Sequence, residues 1–164
     1  MAKSKRIGAI ITLDGAAEFQ KNARDCAAAV SSLNADMKRI NATYTGQENS
    51  IAALTEKQEA AQKIQQAYSK QTQALNDQLE YTKRKYEEMG NAVTSISSEY
   101  DKAKKKLEEM EGAEDQDAKA IKAQQEETER LLQTLQRQSK AYDTTGYKIQ
   151  GLETRIKTSE AAEI

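Results

Sequence analysis

The chain has 164 residues, 31% of them charged and 37% apolar, with a formal net charge of −1. It contains no histidine, no proline and one cysteine. This removes the usual general base and the commonest zinc ligand, an internal disulfide, and any bulk electrostatic pull toward nucleic acid.

Apolar content this low signals disorder when the residues are scattered. Here they are periodic, and without proline nothing forces a helix to break. The composition therefore predicts an all-α protein, an extended long-helix coiled coil that buries surface by self-association. A short β-strand is expected ahead of it.

Residues 6–13 (Arg-Ile-Gly-Ala-Ile-Ile-Thr-Leu) are isoleucine-rich without helical period and read as that strand. A lone strand cannot stand by itself, so it pairs with a neighbouring chain or stays loose until a partner arrives. Lys3, Lys5 and Arg6 give the start some signal-peptide character. The apolar segment is short and Asp14 and Glu18 follow at once, so secretion is the lesser reading. Asp14-Gly15 then turns the chain, with Asp14 as the expected N-cap and Glu18 favourable in the first helical turn.

From Phe19 to Ile156 one seven-residue register holds nearly every large apolar residue. Its a positions include Val30, Met37, Tyr44, Ile51, Leu79, Tyr86, Val93, Tyr100, Leu107, Ile121, Leu135, Tyr142, Ile149 and Ile156. Its d positions include Phe19, Cys26, Leu33, Ile40, Leu54, Tyr68, Leu75, Met89, Ile96, Met110, Leu131 and Leu152. Such a stripe marks helices that hide a narrow seam against other helices. Cys26, at d between Ala23 and Val30, reads as a packed thiol rather than a reactive one.

The register suggests residues 1–14 as strand and turn, 15–45 as a first coiled-coil segment, 46–111 as a long central helix and 112–164 as a last segment continuing into a longer protein. Thr45-Gly46-Gln47-Glu48 has the form of a capping box before Ile51. Glu111-Gly112-Ala113-Glu114-Asp115-Gln116-Asp117 places Glu114 and Asp117 on the seam. Both stretches fit either a hinge in a continuous rod or a loop. At Gly90 the heptad phase is kept and the helix is expected to run through. An unbroken helix from 19 to 156 would extend about 200 Å at 1.5 Å per residue.

The runs Lys83-Arg84-Lys85 and Lys104-Lys105-Lys106 are followed within a turn by Glu87, Glu88, Glu108 and Glu109. Pairs such as Lys104–Glu108 and Lys105–Glu109 make these solvated helix faces rather than a nucleic-acid patch. In a parallel in-register pair, Glu99 would meet Lys104, Lys106 would meet Glu111, Lys148 would meet Glu153 and Arg155 would meet Glu160. All are attractive, at about 0–1 kcal/mol each, which favours a parallel homo-oligomer. Apolar a and d residues lean toward two strands. Gln58, Gln65, Thr72, Tyr68, Tyr86 and Tyr100 on the seam either fix register or leave a weakly packed, bendable stretch. No segment approaches the roughly 20 apolar residues that span a bilayer, and no catalytic, cofactor or metal residue is assigned.

The run RIGAIITLDGAAEFQKNARDCAAAVSSLNADMKRI, residues 6–40, resembles the amino-terminal region of tail tape measure proteins from long-tailed phages and prophages of Gram-positive bacteria. The features that carry the resemblance are the isoleucine run, the Leu13-Asp14-Gly15 turn, Phe19 near a helix start and the Leu33…Met37-Lys38 heptad. The resemblance implies a structural virion protein, assembled in the host cytoplasm. It would fill the tail tube as an extended helical multimer, set tail length and leave ahead of the DNA. Its implied partners are copies of itself, the tail tube, and tail-tip or assembly proteins. Family members are usually longer and carry apolar or enzymatic segments, so no membrane-active or lytic function is carried over.

Two other readings fit the residues. A cytoplasmic coiled-coil scaffold or adaptor shares the seam but gives no reason for the leading strand and turn. A monomeric three-helix bundle, with helices near 15–44, 50–111 and 117–160, would normally show wider apolar faces. An enzyme lacks both histidine and a glycine-rich phosphate loop.

Overall fold

Three long helices account for almost all of the computed structural model, which describes residues 11–113 and 117–163. Helix α1 is Ala16–Thr43, α2 is Ile51–Glu111 and α3 is Ala118–Glu163. The 61 residues of α2 run through Gly90 without interruption, as the unbroken heptad phase there suggests. The strand expected over 6–13 falls mostly outside the described residues. Ile11–Leu13, which are described, carry no strand assignment.

The helix ends correct two sequence expectations. The N-cap of α1 is Gly15, not Asp14, and no side chain caps it. Gly15 has φ 91°, the left-handed region that glycine enters without steric cost. Asp14 instead offers its carbonyl to the Tyr81 hydroxyl. The Thr45-Glu48 capping box does not form either. The Thr45 hydroxyl donates back to Ala42 O at 3.0 Å, so it closes α1 rather than opening α2. Ser50 caps α2, its Oγ accepting from the Ala53 N–H at 3.2 Å, the third helical position that an N-cap serves.

The register leaves open whether the helix continues through residues 45–49 and 111–117. Helix α1 ends at Thr43 and α2 begins only at Ile51, after successive turns closed by Gln47 N–H to Tyr44 O and Ser50 N–H to Gln47 O. Between α2 and α3, Gly112 N–H returns to Glu108 O. Asp117 then caps α3, accepting from the Lys119 and Ala120 N–H groups at 3.0 and 3.2 Å. A heptad phase survives a loop when the loop length happens to keep step, so register alone does not prove an unbroken helix.

The chain divides into two units, each described here by itself. Of the described residues, one gathers 11–13 with 83–113 and 117–147; the other gathers 14–82 with 148–163. In the first, α2 and α3 lie antiparallel, since Tyr86 meets Tyr142 while Ala103 O, further along α2, accepts from the earlier Gln124. In the second, α1 and the start of α2 are antiparallel, with Phe19 stacked on Tyr81 and Tyr44 bonded to Glu56. Its core is Ala23, Leu75, Leu152 and Ile156, with Leu79 packed against it.

Candidate interaction surface

Heptad spacing reappears in what is buried. On α3 the residues Gln124, Leu131, Gln138, Thr145, Leu152 and Ser159 are all buried, seven apart, in the d register. On α2 the same register buries Leu75, Thr82, Met89, Ile96 and Ala103. Packing of long polar helices thus depends on one row per helix, and much of that row is small or polar. Small side chains let helix backbones approach closely, and buried polar ones favour one register because each needs a particular partner.

Those partners are present. The Thr72 hydroxyl donates to Ser159 Oγ at 2.9 Å, and Gln124 Nε2 donates to Ala103 O at 3.3 Å. Gln138, with 0% exposure, accepts from the Ile11 N–H at 3.0 Å and donates to the Ile11 carbonyl at 3.5 Å. The Thr145 hydroxyl donates to Ala141 O within its own helix.

Among the residues expected on the seam, Val30, Leu75, Met89, Ile96, Leu131, Leu152 and Ile156 are buried. Phe19, Cys26, Leu33, Met37, Ile40, Tyr68, Leu79, Tyr86, Val93, Tyr100, Leu107, Met110, Ile121, Leu135, Tyr142 and Ile149 are half-buried. Ile51 and Leu54 remain 85% and 52% exposed. The start of α2 presents Ala53, Ala60 and Ala67 inward instead, one position ahead of Leu54 in the heptad. The seam drawn through the large apolar residues leaves out these alanines, and Ala16 and Ala23 on α1. Their seven-residue spacing was the signal that marks them as core.

Of the acids and bases expected to pair between chains, Lys104 contacts Glu108 at 3.9 Å, and Glu111 accepts from Gln125 at 3.0 Å. Glu99 Oε2 is buried and has no hydrogen-bond partner. The partners expected for all eight charges belong to a second copy.

Tyrosine and glycine form the most specific contact. The rings of Tyr86 and Tyr142 stack with centroids 4.1 Å apart and planes 12° apart. Each tyrosine precedes a glycine by one turn, and each ring covers the other helix's glycine. A Cβ placed at Gly90 would stand 3.2 Å from Tyr142 Cε2, and one at Gly146 would stand 3.5 Å from Tyr86 Cε2. The hydrogen bond with Tyr142 holds the Tyr86 phenol above its ordinary pKa, with desolvation adding to it.

Among the described residues no group of His, Cys, Asp and Glu could hold a metal ion, and no helix is long and apolar enough to cross a membrane. No family model matches the chain, and no curated protein or solved structure resembles it closely enough to be matched.

Proposed function

We propose that the chain is a structural helical protein, the amino-terminal part of a tail tape measure that sets tail length in a long-tailed phage or prophage of Gram-positive bacteria. The observation that carries this reading is the run from Arg6 to Ile40, where the Leu13-Asp14-Gly15 turn leads into a helix with Phe19 in its first turn. Long polar helices with narrow buried rows support it, because a fixed rise of 1.5 Å per residue turns residue count into distance. In this role the protein works in the virion tail without a cofactor. It associates with copies of itself, with the tail tube, and with tail-tip or assembly proteins.

A ruler counts residues only where helices lie end to end, so the antiparallel stretch of α3 adds to length after it separates from α2. The test is an in-frame deletion of whole heptads from α2 in the parent phage. Removing four heptads shortens the tail by about 40 Å in electron micrographs. A tail of unchanged length removes the ruler reading.

The antiparallel pairing of Tyr86 with Tyr142 favours a second reading, a cytoplasmic coiled-coil scaffold or adaptor that works in its folded-back form. Neighbouring genes separate the two: tail-tube and baseplate genes flank a tape measure and have no reason to flank an adaptor.

A further inference from the structure

A third Tyr-x-x-x-Gly element, Tyr147 to Gly151, follows directly on the second. The first two close on each other as described, each ring on the other's glycine. The third has no such counterpart among the described residues. Tyr147 is 74% exposed, and nothing stands within 4 Å of a Cβ built at Gly151. Both residues belong to one helix that runs unbroken from Ala118 to Glu163, so helical geometry alone places them on one face.

Glycine inside a helix lowers stability relative to alanine. At Gly90 and Gly146 the cost is matched by the close approach of a ring. At Gly151 no group among the described residues makes use of it. We infer that Tyr147–Gly151 is a homotypic docking element whose occupant is the same element of a second copy, lying antiparallel with each Tyr147 ring over the other copy's Gly151.

Self-complementarity argues for that occupant. The Tyr86–Tyr142 contact joins two like elements running in opposite directions, the relation a two-fold axis imposes on two copies of one element. Charge supplies an independent argument. The register that sets Tyr147 over the second copy's Gly151 sets Asp143, one turn earlier, opposite Arg155, one turn later. Both side chains are exposed and of opposite sign, and the axis repeats the pair. Thr144 faces Thr154 in the same register. A single helix face buries less than the ~1,200 Å² of a stable complex, so this contact is weak and acts where copies are concentrated. The inference does not depend on the ruler reading.

Sedimentation of the full chain over two decades of concentration tests it. The wild-type chain associates at the upper end. Tyr147→Ala and Gly151→Leu each weaken that association by about tenfold or more without lowering the thermal midpoint, since neither position is used within the chain. Asp143→Arg weakens it as well, and Asp143→Arg combined with Arg155→Asp restores it. With Cys26 replaced by alanine, a mixture of Asp143→Cys and Arg155→Cys chains forms mixed disulfide dimers. The inference is overturned by a chain that stays monomeric throughout, or by association that Tyr147→Ala and Gly151→Leu leave unchanged. It is equally overturned if Arg155→Cys chains cross-link to Glu160→Cys chains, as a parallel register requires, and not to Asp143→Cys chains.

Discussion

Gln138 holds the backbone of Ile11 with both ends of its side-chain amide, accepting the Ile11 N–H at 3.0 Å and donating to the Ile11 carbonyl at 3.5 Å. A peptide group that would otherwise lack partners is thereby satisfied, in the same donor-and-acceptor exchange that joins two strands. Gln138 is fully buried at a d position where a coiled coil would carry leucine. Gln138→Leu therefore releases the leading segment at a cost of about 1–3 kcal/mol. Hydrogen exchange at the Ile11 amide checks this: it accelerates in the variant, and unchanged protection would show that the amide pair does not hold the segment.

Glycine substitutions should follow the space around each position. Gly151→Ala meets nothing within 4 Å and raises stability by about 0.5–1 kcal/mol through helix propensity. Gly146→Ala, 3.5 Å from the Tyr86 ring, gains similarly. Gly90→Val pushes against a ring already 3.2 Å from the first methyl position and loses about 1–3 kcal/mol. Thermal unfolding of the three variants reads the order directly.

Cap residues make a sharp contrast with their neighbours. Asp117→Ala and Ser50→Ala each remove an acceptor for helix-opening N–H groups and cost about 1 kcal/mol. Thr45→Ala leaves the start of α2 intact, because that hydroxyl bonds carbonyls of α1. Equal losses in all three by chemical denaturation would restore the capping box at Thr45.

Alkali and acid each act on one hydrogen bond beside the α1–α2 turn. The Tyr44 hydroxyl donates to Glu56 Oε1 at 2.9 Å, and that bond, with desolvation and the Glu56 charge behind it, holds the phenol above its usual pKa. Its contribution is complete below the ordinary tyrosine pKa and disappears as pH rises through the raised one. Glu48 has the opposite sign. The Gly46 N–H bonds its carboxylate at 2.7 Å and is the main cause of its lowered pKa, so its contribution is present above the ordinary glutamate pKa and disappears as pH falls through the lowered one. Unfolding midpoints against pH should lose part of their alkaline component in Tyr44→Phe, the rest remaining with Tyr86, and part of their acid component in Glu48→Gln.

The heptad register was legible from residue identities alone, and it names the rows that are buried on α2 and α3. The direction of pairing was not. An a/d pattern reads the same for parallel and antiparallel neighbours, and the attractive pairs such as Glu99 with Lys104 weigh too little to decide it. Gln58, Gln65 and Thr72 were legible as polar interruptions of the seam, but the buried d residues Ser159 and Gln138 were not, because their partners are remote in sequence, on Thr72 and Ile11. Ala53, Ala60 and Ala67 escaped notice because alanine signals helix more strongly than burial. The tyrosine–glycine clasp was not legible in the heptad pattern, because only the fold brings Tyr86 to Gly146.

The antiparallel closure of α2 on α3 is the central claim, and one distance tests it most directly. Spin labels at Glu87→Cys and Asp143→Cys, both exposed and next to the stacked tyrosines, are placed in a Cys26→Ala chain diluted with unlabelled protein. Pulsed electron resonance should then report a separation within about 25 Å, two side-chain layers across a helix pair. A separation of about 80 Å, the length of helix between the two positions at 1.5 Å per residue, would contradict it.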